Sequence, residues 1–143
     1  MSFDFKSIKV LVIGDLMIDN YIMGSSSRLS PEAPVPVIRP TNNYLIAGGA
    51  ANVAMNMSSL GAKVSCAGVI GDDSWGKKLL SILNKKGIDS TYIDKIKNFK
   101  TTLKQRIYSN DKQIARIDNE EILEQKCSFM DKKFNNYDII ILS

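Results

Sequence analysis

The sequence predicts an α/β fold, the first half of a doubly wound parallel sheet with a smaller β-sheet attached to it. Three observations predict it. Residues 8–13, 63–70 and 138–142 are short apolar runs, the pattern of parallel strands buried on both faces rather than of half-exposed strands, which alternate. Three stretches between the first run and the last carry apolar residues at helical spacing. Residues 101–118 alternate about a polar turn, as a hairpin does.

Taken in order, the run 8–13 ends at Gly14-Asp15. Ligands in open α/β sheets bind beyond the carboxyl ends of such strands, which is where Asp15 and Asp19 fall. Asp15 reads equally as the cap of a turn, and Asp19 is the stronger binding candidate. Residues 21–40 lack helix signals and carry Ser25-Ser26-Ser27 followed by Pro31, Pro34 and Pro36. Prolines are confined to the edges and loops of sheets, so these residues predict short extended segments on an excursion from the main sheet. Asn42-Asn43 predicts a turn before Tyr44-Leu45-Ile46.

Next comes Ala47-Gly48-Gly49-Ala50-Ala51-Asn52-Val53-Ala54. Adjacent glycines permit positive φ and close approach to a ligand, and the first amides of the helix that follows have no internal partner. Val53, Met57 and Leu60 lie at i, i+4 and i+7 and form a core stripe with Ala50 and Ala54, while Gly61 stops the helix at C′. Asn52 falls in the first turn, where its amide can donate and accept at once, which suits a sugar hydroxyl. The same stretch also reads as a tight loop ahead of a core helix.

After the strand at 63–70, Gly71-Asp72-Asp73-Ser74 supplies N-cap chemistry for a helix with the stripe Trp75, Leu79 and Ile82 or Leu83, ended by Gly87. Tyr92-Ile93-Asp94 is a weak strand. In 101–108, Leu103, Gln105 and Ile107 face one way and Thr102, Lys104, Arg106 and Tyr108 the other. Ser109-Asn110-Asp111-Lys112 is a turn, and 113–118 the returning strand. The polar face of this hairpin carries Lys104, Arg106 and Arg116, which suit a ligand phosphate and equally a solvated strand face. Leu123, Cys127, Met130 and Phe134 predict one more helix. A strand such as 138–142, apolar on both faces, calls for a neighbour and a covering helix. The expectation is therefore a truncated N-terminal portion of a domain over residues 1–143, with its second half elsewhere.

The composition narrows the classes. A chain of 143 residues suits one domain, and a chain of that size buries roughly 70% of its unfolded surface. Hydrophobic residues at 44% and charged residues at 24% describe a globular protein. The net charge of +4 comes from lysines spread among acids, as in Lys77-Lys78, Lys85-Lys86 and Lys132-Lys133. Nucleic-acid binding would want a basic stripe, so no nucleic-acid partner is expected. There is no histidine, and Cys66 and Cys127 lie far apart, so a zinc site or a serine-histidine triad lacks its parts and no metal ligands are expected. The cysteines read as reduced core residues. No window approaches the roughly 18 apolar residues of a membrane span, and residues 1–6 lack the basic start and long apolar run of a signal peptide. The expectation is a cytoplasmic protein without a membrane partner.

Gly48-Gly49-Ala50-Ala51-Asn52-Val53-Ala54, with Gly61 and Gly71 at their spacings, resembles the N-terminal signature of the PfkB or ribokinase-like carbohydrate kinases. Gly14-Asp15 with Asp19, and Thr101-Thr102 with Lys104, support the resemblance. Within that family, residues 27–37 (Ser-Arg-Leu-Ser-Pro-Glu-Ala-Pro-Val-Pro-Val) and Ile117-Asp118 with Glu120-Glu121 most resemble the kinase domain of the bifunctional heptose 7-phosphate kinase and heptose 1-phosphate adenylyltransferase type. The resemblance runs nearly end to end. It implies the N-terminal half of a ribokinase-like doubly wound sheet with a small β-sheet lid, the lid segments being about 21–46 and 92–118. It implies that Asp19, Asn52 and Lys104 bind the sugar and that Gly48 and Gly49 let it lie against the backbone, with Arg28, Arg106 and Arg116 as candidate phosphate contacts. The implied reaction is transfer of the γ-phosphoryl group of ATP, with Mg²⁺, to the anomeric hydroxyl of a heptose 7-phosphate. The family's catalytic aspartate and ATP pocket lie beyond this chain's last residue, so no catalytic residue is expected here and the chain alone should be nearly inactive. Alternative expectations are one half of a split kinase completed by a second polypeptide, or a non-catalytic sugar-binding module that forms a homodimer through the lid.

Overall fold

A computed structural model describes residues 5–123 and 126–143. In chain order the elements are β1 (Lys9–Ile13), β2 (Leu16–Ser25), β3 (Arg39–Gly49), α1 (Ala50–Ser59), β4 (Lys63–Gly71), α2 (Ser74–Lys85), β5 (Asp89–Ile96), β6 (Thr102–Ser109), β7 (Lys112–Asn119), a single 3-10 turn (Ser128–Asp131) and β8 (Ile139–Leu142).

The apolar runs pair as the pattern requires. A parallel four-stranded sheet has the order β5-β4-β1-β8, with Val10 opposite Val64 on one side and Ile139 on the other. Val10 and Val12 face the helices and pack with Ala50, Ala51 and Ala54 of α1 and with Leu79 and Leu83 of α2. Leu11, on the alternate face, packs with Ala67, Cys127 and Phe129, flanked by Tyr92, Phe134 and Tyr137. The chain runs from β1 outward through β4 to β5, then returns to place β8 on the other side of β1. That reversal puts the topological switch point at the carboxyl end of β1, where open α/β sheets receive ligands.

The second sheet, the one the resemblance implies as a lid, has the order β3-β2-β6-β7. Its buried face presents Leu16, Ile18, Ala47 and Leu103 to the core shared with the helices. Between β6 and β7 the two-residue loop has Asn110 at φ 49° and Asp111 at φ 65°, the two positive φ values that a primed hairpin turn demands and that Asn and Asp tolerate. Asp73 caps α2, accepting from the Gly76 N–H at 2.7 Å, and Gly61 and Gly87 follow the two helices at φ 97° and 67°.

Five expectations need correction. The first lid arm begins at Leu16 rather than about residue 21, because Gly14-Asp15 already redirects the chain and β2 pairs along its length with β3. The second begins at Thr102 rather than about residue 92: β5 is an edge strand of the main sheet, brought back by α2 to lie parallel to β4. Asn42 and Asn43 form no turn; they face Met23 and Ile22 inside β3, and the local irregularity is a bulge at Met23/Gly24. Leu60 is 57% exposed, because α1 already buries its alanines and ends at Ser59. In place of the helix predicted from Leu123, Cys127, Met130 and Phe134, the described residues show one 3-10 turn. The Ser128 N–H and hydroxyl are held by the Asp94 carboxylate, and the backbone is extended at both Cys127 and Lys132. Cys127 is buried and Met130 is 61% exposed, so the apolar positions there are used singly rather than as a stripe. Part of that prediction, at 124–125, lies outside the described residues. β8 pairs with β1 and leaves Leu142 78% exposed.

Candidate functional site

Alternation along β2 sends Met17, Asp19 and Tyr21 to the lid face opposite the core. Register places Gly48, Ile46 and Tyr44 of β3 beside them on one side, and Thr102, Lys104 and Arg106 of β6 on the other. β7 extends the row, with Asp118 opposite Lys104 and Arg116 opposite Arg106. One sheet face thus gathers Asp19, Gly48, Lys104, Arg106 and Arg116, five of the residues singled out from sequence.

Where this face meets the carboxyl ends of β1 and β4 lies a cavity of about 560 Å³. Gly14, Asp15 and Gly68 form its floor, Met17, Thr102 and Lys104 its lid side, and Cys127, Phe129 and Met130 its far wall. It coincides with the topological switch point. Gly68 leaves no room for a side chain there: a Cβ would lie 2.5 Å from the Gly14 carbonyl oxygen and 2.8 Å from Leu16 Cγ.

The charges on the lid face are mostly paired. The Arg106 guanidinium donates to the Asp19 carboxylate and stands 5.3 Å from the centre of the Tyr21 ring. The hydrogen bond to Asp19 raises the Arg106 pKa above its ordinary value. Arg116 grips Asp118 with two hydrogen bonds, Nε to Oδ1 at 2.8 Å and a second nitrogen to Oδ2 at 2.6 Å, which holds the Asp118 carboxyl below the usual carboxylate range. Lys104 differs. Its ammonium is 3.9 Å from Glu120, an exposed acid, and it lines the cavity. Tyr21 stacks between Tyr44, with centroids 5.0 Å apart, and Tyr108, 6.1 Å away, so three aromatic rings cross the lid beside the ion pairs.

The remaining candidates lie around this face. The space a Cβ would take at Gly48 is filled by the protein itself, by Asp19 Oδ2 at 2.7 Å and Met17 Cγ at 2.8 Å. Gly49 turns the chain from β3 into α1 at φ 56° and ψ −136°, and the Ala50 N–H that follows donates to the Asp15 carbonyl at 2.9 Å. Asn52 is exposed in the first turn of α1. Arg28 sits exposed in the 26–38 connection, apart from the cavity lining. Cys66 is buried, and burial pushes its thiol up to about 12, which makes it inert. Met17 escaped the sequence reading, and Thr102, Asp118 and Glu120 were named there without being offered as site residues. Counting two residues either side of Asp19 and Lys104 would have found Met17 and Thr102.

Comparisons with known proteins bear on the family and the fold. Residues 7–143 match the family described as pfkB family carbohydrate kinase. The bifunctional protein HldE of Helicobacter pylori strain J99 is 45% identical over 142 residues, covering 94% of this chain. HldE of Haemophilus influenzae strain PittEE is 42% identical over 147 residues, covering 99% of it. This chain spans 31% of the length of each of these relatives. Among solved structures, a putative ribokinase from Agrobacterium tumefaciens superposes with a TM-score of 0.75 at 21% identity, covering 94% of this chain and 44% of that one. The ribokinase of Cryptococcus neoformans var. grubii serotype A, solved with ADP, gives 0.66 at 21% identity, covering 95% and 40%. That of Arabidopsis thaliana, solved with ribose and ATP, gives 0.62 at 22% identity, covering 78% and 35%. At those identities the superpositions speak for a shared ribokinase fold. With the family matched over nearly all of its residues, the chain belongs to the pfkB family of carbohydrate kinases.

Proposed function

We propose that this chain forms the sugar-binding portion of an ATP-dependent kinase acting on a heptose 7-phosphate, phosphorylated at its anomeric hydroxyl on the way to the lipopolysaccharide core. The observation that carries the reading is the polar lid face running into the cavity at the switch point, with Asp19 paired to Arg106 and Lys104 on the cavity wall. The likeness to HldE proteins supports a heptose over other sugars.

In this reading the Asp19 carboxylate accepts from sugar hydroxyls while its ion pair with Arg106 fixes its orientation. Asn52 adds an amide from the first turn of α1, and Gly48 and Gly49 bring the backbone alongside. Lys104 reads the phosphate, because Arg106 and Arg116 are committed to Asp19 and Asp118 and Arg28 lies on the exposed connection.

The described residues do not fit ATP or its Mg²⁺. The first turn of α2 is capped by Asp73, the first amide of α1 donates to Asp15, and no group of three acids, histidines or cysteines among the described residues could hold a metal ion. No helix among the described residues is long and apolar enough to cross a membrane.

Isothermal titration with D-glycero-D-manno-heptose 7-phosphate tests the reading. The chain should bind it in preference to the unphosphorylated heptose, and Lys104→Ala should weaken it about 10- to 100-fold, the size of one hydrogen bond to a charged group. Equal affinity for both sugars would refute the assignment. A second reading, a dimerisation module, is favoured by Ile114 and Ile117, 45% and 46% exposed on the edge strand β7. Light scattering that shows a dimer lost on Ile117→Lys would support it, and a monomer would exclude it.

A further inference from the structure

The lid is tied to the main sheet at one buried joint. β6 starts directly after Thr101, which is 2% exposed. The Thr101 hydroxyl accepts from the Gly71 N–H at the end of β4, at 2.9 Å, and donates to Asp73 Oδ1 at 2.8 Å. The Thr101 N–H donates to Asp73 Oδ2 at 2.9 Å, while Asp73 Oδ1 also accepts the Gly76 N–H that begins α2. The joint is close-packed: a Cβ on Gly71 would sit 2.1 Å from the Phe99 carbonyl oxygen, and one on Gly76 would sit 2.3 Å from that of Gly71. A single carboxylate therefore divides its two oxygens, Oδ1 to the helix and to the threonine hydroxyl, Oδ2 to the backbone where the lid strand starts. Lys104 stands three residues further along, within a strand held on both sides by β2 and β7. A strand so paired moves as a unit, so a shift at Thr101 is carried to Lys104.

We infer that Asp73 and Thr101 are positioning residues that seat β6 and hold the Lys104 ammonium at the cavity wall, where it discriminates a phosphorylated from an unphosphorylated sugar. The inference rests on the reading of the cleft as a sugar-phosphate site. The chemistry of the joint separates this role from helix capping. Asp73→Asn keeps an oxygen for the Gly76 N–H and turns an NH₂ toward the Thr101 N–H, setting two donors against each other. Thr101→Val removes the hydroxyl at nearly constant volume, and Thr101→Ser retains it.

The experiment is isothermal titration of the full 143-residue chain with the heptose 7-phosphate and with the unphosphorylated heptose, folding being checked by circular dichroism. The ratio of the two affinities is the readout, since a merely structural role lowers both together. Asp73→Asn and Thr101→Val are expected to cut the preference for the phosphorylated sugar by about 5- to 30-fold, as a charged contact pulled out of line does, with Thr101→Ser restoring it. An unchanged ratio in folded variants, or equal loss for both sugars, overturns the inference. Failure of both Asp73→Asn and Thr101→Val to fold while Thr101→Ser behaves as the unaltered chain assigns the joint to stability alone and overturns it as well. An unaltered chain with no preference for the phosphorylated sugar refutes the sugar-phosphate reading itself. A preference that persists in every variant refutes only the positioning role.

Discussion

Replacing Gly49 by alanine should destabilise the protein in the absence of any ligand. Gly49 has φ 56° and ψ −136°, a combination essentially reserved for glycine, and holding another residue there costs about 1 to 3 kcal/mol. A Cβ would also sit 2.3 Å from the Asp15 carbonyl oxygen and 2.9 Å from Met17 Cε. Relief requires moving a backbone carbonyl that accepts the Ala50 N–H at the start of α1, and overpacking of this kind costs about 1 to 3 kcal/mol more. The sum, about 2 to 6 kcal/mol, is a large part of the roughly 5 to 15 kcal/mol that holds a domain together. With a urea slope of about 2 kcal/mol per molar, the unfolding midpoint should fall by about 1 to 3 M. The assay is equilibrium urea unfolding of Gly49→Ala beside the unaltered chain without sugar. A midpoint unchanged within error would show that the protein's own backbone does not require the glycine. Lost sugar binding in such a variant would then return Gly49 to the role of a ligand-facing residue.

Two further outcomes test the packing and the joint. Leu83→Ala should cost about 2 to 5 kcal/mol because its side chain is fully buried, whereas Leu60→Ala should stay within about 0.5 kcal/mol; equal shifts in thermal melting would contradict the burial of Leu83 in α2 against the exposure of Leu60 behind α1. Burial raises the Asp73 carboxyl pKa, but hydrogen bonds from Gly76, Thr101 and Trp75 more than offset it, so the folded value lies below the ordinary 3.8. The stabilisation is therefore present above the unfolded pKa and is lost as pH falls through the folded one, so stability should drop below about pH 4. Urea midpoints at pH 7 and pH 3 should fall less for Asp73→Asn than for the unaltered chain, and parallel falls would show that Asp73 carries none of the effect.

Features governed by neighbours a few residues away were readable in the sequence. The apolar runs that became β1 and β4, the Leu79 and Leu83 stripe, the Asp73 cap and the glycines behind both helices follow from period and end chemistry within one element. So does the Asn110-Asp111 turn, because positive φ at both positions is a property of the loop alone. Asp19, Lys104, Arg106 and Arg116 were likewise picked out, since charges at the end of a buried run and on one face of a hairpin stand out from the pattern.

Tertiary structure decided which partner each strand and charge would meet. Tyr92-Ile93-Asp94 reads as a weak strand, which the resemblance counted with the lid, and only α2 returning the chain beside β4 put β5 in the main sheet. Asn42 and Asn43 look like a turn until β2 supplies a ladder for them, and the last apolar spacing looks like a helix until Asp94, more than thirty residues earlier, takes hold of Ser128. The same holds at the site. Three cations on one hairpin are equivalent in sequence, and only the register of β2 beside β6 gives Arg106 to Asp19; Arg116 meets Asp118 two residues along its own strand, and Lys104 is left on the cavity wall. Period and capping are set by local backbone geometry, whereas sheet membership and the pairing of Arg106 with Asp19 depend on contacts between residues far apart in the chain, which exist only once the chain has closed on itself.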